Sequence, residues 1–112
     1  MTTFQERERA FEAKFAHDEE FRFLVLARRD KLFARWAAER LGVSGQDGAS
    51  LTASVLAIRD GPGHDEAVLG HIADAFARRG AGSSRPELTA ALNRCAAQAR
   101  QQLLDDPPVS WH

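Results

Sequence analysis

Tyrosine is absent from the chain, and cysteine and methionine each occur once among its 112 residues. The lone Cys95 has no internal disulfide partner, which fits a reducing compartment and points to the cytoplasm. Two tryptophans, seven phenylalanines and few Val or Ile leave little material for β-sheet. No run approaches the roughly 20 apolar residues of a membrane span, so no membrane insertion is expected. The first fifteen residues lack an apolar h-region, and no secretory signal is expected. Charge of one sign is also missing: the net charge is -1. A whole-molecule field that would draw in nucleic acid or an anionic bilayer is therefore not expected.

What is present is Ala, Arg, Leu and Glu in abundance, with hydrophobic content of 44% and charged content of 28%. That composition favours helix and one modest core, in which roughly two thirds of the unfolded surface can be hidden. The expected fold is all-α: a four-helix bundle preceded by a mobile or loosely docked N-terminal helical arm. The expected division is an arm over 1–19, a bundle over 20–106 and a frayed tail over 107–112.

The arm helix is predicted over about 4–16. Thr3 and Glu6 have the spacing of a capping box. At about 100° per residue, Phe4, Phe11 and Phe15 fall within about 20° of one line on a charged helix. Carried onward, that line meets Asp18 and Arg22, while Phe21 points elsewhere. The register therefore shifts at 16–20, which predicts a bend, hinge or fraying point. The Phe stripe suits a groove, either the protein's own or a partner's.

A second helix is predicted over about 18–41, with Asp18, Glu19 and Glu20 at its start and Gly42 just past its end. It shows two apolar faces. One holds Phe21, Leu24, Val25, Leu32 and Trp36. The other holds Phe23, Leu26, Ala27, Ala34, Ala37, Ala38 and Leu41. A helix apolar on two sides is expected to be central. Further helices are predicted over about 45–60, 66–79 and 85–104. Ser44 and Asp47 form one cap signal; Ser84, Pro86 and Glu87 form another.

No nucleophile motif, phosphate loop or paired-cysteine motif is present, and no enzyme is expected. His17-Asp18-Glu19 and His64-Asp65-Glu66 invite a metal reading. Neighbours one and two apart on a helix do not converge on a point, so helix-start electrostatics is the favoured reading, with no metal and no cofactor. Cys95 lies on the apolar stripe of the last helix and reads as core. Arg28 falls inside the first apolar face, beside Arg29 and one turn from Leu32. Its guanidinium needs a carboxylate, the Trp36 ring or an anion from outside. An internal salt bridge to an arm glutamate is one reading. A contact of Arg28, Arg29 and Trp36 with an adenine nucleotide is the other.

Residues 3–45 carry a further signal. Arg7-Glu8, Ala10-Phe11-Glu12, Lys14-Phe15-Ala16-His17-Asp18-Glu19-Glu20, Phe23, Ala27-Arg28-Arg29, Lys31-Leu32, Trp36-Ala37-Ala38 and Leu41-Gly42 follow one another in that order. The pattern resembles the zeta-type inhibitor subunit of the F-type ATP synthase of alphaproteobacteria. The resemblance implies a regulatory protein whose N-terminal segment enters the catalytic head at an α/β interface beside the rotor shaft and blocks ATP hydrolysis. It then implies that the arm serves a partner. Phe4, Phe11 and Phe15 would fill apolar contacts, Arg7, Arg9 and Lys14 would meet acidic groups, and Glu8 belongs to the same set. The implied location is the cytoplasm, at the inner-membrane face when bound.

Overall fold

The computed structural model describes the backbone of residues 4–106 and the side chains of residues 18–106. The predicted Thr3 cap, the side chains of the arm stripe and the tail over 107–112 lie outside the described residues. Four helices follow in order: α1 (Phe4–Leu41), α2 (Gly45–Leu56), α3 (His64–Arg78) and α4 (Arg85–Asp105). No strand occurs among the described residues.

The first two predicted helices are one. α1 runs through 38 residues without interruption, a length of about 57 Å. The expected boundary at residue 19 falls inside it, and Asp18, Glu19 and Glu20 lie mid-helix rather than at a helix start. The helix passes through residues 16–20 without the predicted break. Around Phe21 the neighbour is the end of α4, whose Arg100 guanidinium sits 5.3 Å from the Phe21 ring centre. Further on, Phe33, Ala34, Ala37 and Ala38 are buried in the common core.

α1 is the central helix and touches all three others, most extensively α4. α4 runs antiparallel to it: Trp36 and Arg40 lie near Glu87 and Arg94, while Phe21 lies near Arg100. α3 runs parallel, with Asp65 meeting Arg29 at one end and Phe76 meeting Trp36 at the other. α4 has 21 residues, α3 15 and α2 12. At about 1.5 Å per residue none matches α1 in length, so α1 extends past the bundle.

Phe33, Ile72, Leu88, Val55 and Val68 are the largest fully buried side chains. Alanines at 34, 37, 75, 91 and 99 fill the remaining contacts with little volume. Phe33 stacks on Trp36, with ring centres 5.7 Å apart, and Trp36 tilts toward Phe76 at 6.1 Å. Truncating Phe33 to alanine is worth about 3–5 kcal/mol.

Glycines set two of the stops. Gly42 has φ of 70°, and Val43 donates its N–H back to the Ala38 carbonyl at 3.0 Å. Gly80 has φ of 69°, and Ala81 donates to the Phe76 carbonyl at 3.0 Å. Both follow the left-handed glycine closure that captures orphan carbonyls. At the start of α4, Ser84 accepts the Glu87 N–H at 3.3 Å, as the cap signal predicts. Ser44 differs. It occupies the N-cap of α2 but its side chain makes no cap hydrogen bond.

Three other expectations are corrected. Phe33, on neither predicted face, is fully buried. Phe23 and Leu26, assigned to the second apolar face, are 57% and 38% exposed. α2 stops at Leu56, and the loop before α3 with its first turn forms only one wall of an open cleft beside Phe23 and Leu26, which leaves both partly in solvent. Arg28 is exposed rather than inside an apolar face, and Arg29 is the buried member of the pair.

Candidate functional site

Two adjacent residues of α1, Arg29 and Asp30, are the buried charged side chains among the described residues, at 5% and 4% exposure. One turn of helix separates Arg29 from Phe33, so the core that buries Phe33 buries Arg29 too. The start of α3 supplies the compensation. Arg29 donates from Nε to Asp30 Oδ1 at 2.9 Å and from Nη2 to Asp65 Oδ1 at 2.8 Å. Asp30 Oδ2 lies 2.6 Å from His64 Nε2. The other ring nitrogen of His64, Nδ1, lies 2.9 Å from the Arg59 carbonyl and 3.9 Å from an Asp60 carboxylate oxygen.

Both ring nitrogens of His64 therefore face acceptors, which is the arrangement of an imidazolium with two donors. Burial alone lowers its pKa. The hydrogen bond to Arg59 and the Asp30 carboxylate outweigh that, and the net shift is upward. The Asp65 carboxyl is held below its ordinary value, first by the hydrogen bond from Arg29. Arg29 is desolvated, yet Asp65 and Asp30 keep its pKa raised. Two cations and two anions balance, and among the described residues no buried side-chain nitrogen or oxygen lacks a partner. This closed node fastens α3 to the middle of α1. It has the chemistry of a clasp: each charge is already answered from within the fold.

That geometry bears on each predicted site residue. Arg28, Arg29 and Trp36 do not converge. Arg28 is in solvent and Arg29 is committed to Asp30 and Asp65. Trp36 lies under the Arg40 guanidinium, 5.3 Å from its ring centre, in a cleft with Phe76, Glu87 and Arg94. Among the described residues the three side chains thus sit in separate surroundings. The salt bridge read for Arg28 falls instead to Arg29, with α3 rather than the arm. The His64-Asp65-Glu66 triplet does open α3, behind Gly63. Its three side chains diverge: His64 to Asp30, Asp65 to Arg29, and Glu66 to Arg85. No group of three or more metal-type ligands gathers among the described residues. Cys95 is buried, and burial pushes its thiol pKa up.

Sequence reasoning missed one pair. Ser54 on α2 and His71 on α3 meet with Oγ and Nε2 2.7 Å apart. Ser54 Oγ also lies 2.7 Å from the Leu51 carbonyl oxygen. The hydroxyl has one proton to share between the Leu51 carbonyl and His71, and the His71 tautomer sets which of the two contacts it serves. The pair links α2 to α3. No spacing signal joins two residues on separate helices.

The arm set of Phe4, Arg7, Glu8, Arg9, Phe11, Lys14 and Phe15 lies on the helical backbone of α1, with side chains outside the described residues. The described part of α1 nearest to it is open. Phe23 is exposed, and Arg22, Leu26 and Ala27 are exposed with it. No helix of the described residues is long and apolar enough to cross a membrane.

The model of one protein family, ATPase inhibitor subunit zeta, matches residues 1–102. The match spans arm and bundle together, far beyond the dense pattern of residues 3–45. Neither a curated protein nor a solved structure matches the chain. The chain belongs to the ATPase inhibitor subunit zeta family.

Proposed function

We propose, from that membership, that this protein is a cytoplasmic, non-enzymatic regulator that stops ATP hydrolysis by the F-type ATP synthase by steric blockade. Residues 1–19 enter the catalytic head at an α/β interface beside the rotor shaft. The bundle of residues 20–106 stays outside and anchors the chain. The observation that carries the reading is the family match over residues 1–102, which takes in the arm as well as the bundle.

The shape of α1 supports it physically. A blocking element must resist being pushed aside, and a helix continuous with a packed core does so better than a tethered loop. The portion of α1 before Asp18 adds fourteen residues, or about 21 Å of reach. Phe4, Phe11 and Phe15 supply apolar area for a groove. Arg7, Arg9, Lys14 and Glu8 supply charge pairing and register.

The test is ATP hydrolysis by the purified soluble head from the same organism. Full chain lowers the rate in proportion to occupancy. The double substitution Phe11→Ser and Phe15→Ser raises the half-inhibitory concentration at least about tenfold, as expected for loss of two apolar anchors. Its melting temperature stays near that of the parent chain. Equal inhibition by both chains would contradict the reading.

A further inference from the structure

The exposed side of α1 holds a feature that the fold does not use. Arg28, Lys31 and Arg35 are spaced by three and four residues and so share one helical face. All three are exposed, and none forms an ion pair with any described residue. Between Leu24 and Ala38 that face holds no acid. Asp30 is turned inward to Arg29 and His64. Glu39, one turn beyond Arg35, is exposed and makes no ion pair with it among the described residues. Like charges three and four apart repel, and no described side chain closes an ion pair with any of the three. In a chain of net charge -1, this is a local concentration of positive charge about 10 Å long.

We infer that this stripe is a second contact surface for the protein that receives the arm, and that it meets a patch of carboxylates there. The inference rests on the inhibitory reading above and adds where the bundle grips. Continuity places it. Arg28 follows residue 19 by nine residues on the same unbroken helix, or about 14 Å along the axis. At about 100° per residue the three bases fall roughly 150° round the helix from the line of Phe4, Phe11 and Phe15, so a partner that meets both wraps around α1. The neighbours of the stripe suit a protein surface. Half-buried Leu24 and exposed Ala27 and Phe23 precede it, giving an apolar patch edged by bases. Such mixed surfaces are typical of protein interfaces, where rim charges set the rate and register of docking. A nucleic acid or an anionic bilayer calls for a broader positive field than a net-negative chain offers.

The test is equilibrium binding of the full chain to the purified soluble head at low and moderate salt, alongside inhibition of ATP hydrolysis. The triple reversal Arg28→Glu, Lys31→Glu, Arg35→Glu raises Kd about 100-fold, since like charges then face each other across the contact. Its helix content and melting temperature match the parent chain, because the three side chains are exposed. The salt dependence of binding flattens in the reversed chain. The conservative pair Arg28→Lys, Arg35→Lys keeps the parent affinity to within a few-fold. A reversed chain that binds and inhibits as well as the parent would overturn the stripe while leaving the inhibitory reading intact. A parent chain that neither binds nor inhibits would remove both. A parent chain held by anionic vesicles or single-stranded RNA as tightly as by the head would overturn the assignment to a protein surface.

Discussion

Arg28 and Arg29 are neighbours in sequence and opposites in circumstance. Arg29 is buried to 5% exposure and answered by two carboxylates. Arg28 stands in solvent without an ion pair among the described residues. The contrast repeats along α1. From residue 29 to 41 three helices close over it. Before residue 29, the end of α4 lies by Phe21, and the loop before α3 with its first turn lines an open cleft with Arg22, Phe23 and Leu26. The same helix is thus a core element in one half and a presented surface in the other. Isolated helices gain little from propensity alone, so the outer half owes its order to continuity with the packed half. A regulator that must hold one end and offer the other is served by that division.

Breaking the contrast at its strongest point gives the largest effect. Arg29→Leu leaves Asp30 buried with His64 alone and frees Asp65, and is expected to cost about 3–5 kcal/mol. Arg28→Leu is expected to change stability by less than about 0.5 kcal/mol. Paired denaturant titrations of the two variants read the difference directly. Equal losses would mean that the node does not hold α3 to α1.

The pH dependence of stability sharpens the same comparison. His64 has a folded pKa above its unfolded value of about 6.5. The stability it supplies is therefore complete below that value and is lost as pH rises through the folded pKa. The substitution His64→Gln is expected to remove that upper slope. Urea titrations of both chains across neutral to mildly alkaline pH measure it. A slope that persists in His64→Gln would assign the effect elsewhere.

A smaller effect separates the two serine N-caps. Ser84→Ala removes the bond to the Glu87 N–H and is expected to cost about 1 kcal/mol. Ser44 makes no such bond, and Ser44→Ala is expected to be near neutral. Thermal unfolding of the two variants decides the matter.

Much of the fold was legible because its stops are chemical. Gly42 and Gly80 end helices through left-handed closure, and Ser84 with Glu87 starts one; each signal is local and survives in three dimensions. What was illegible depended on neighbours. The register shift at 16–20 looked like a break, yet the helical backbone of α1 carries straight through it. A helical wheel assumes one partner for the whole helix, whereas along the described part of α1 the neighbour changes from the end of α4 to the common core. That assumption placed Arg28 inside and left Phe33 unassigned. The core centres on Phe33 and Ala37, and the positions of the other three helices fix that centre. The clasp joins residues about thirty-five apart, Asp30 with His64 and Arg29 with Asp65. Its members were visible as an acid–histidine triplet and a basic pair, but their pairing needs the fold. For the arm, the apolar line left the protein's own groove and a partner's groove both open, and the family pattern is what implies the partner.

The central claim is that the arm inhibits while the bundle anchors. The most direct measurement compares ATP hydrolysis by the soluble head with full chain, with a chain lacking residues 1–19, and with both together. The account predicts inhibition by the full chain, none by the shortened chain, and relief of inhibition as the shortened chain competes for the bundle's contact. Inhibition by the shortened chain alone would contradict it.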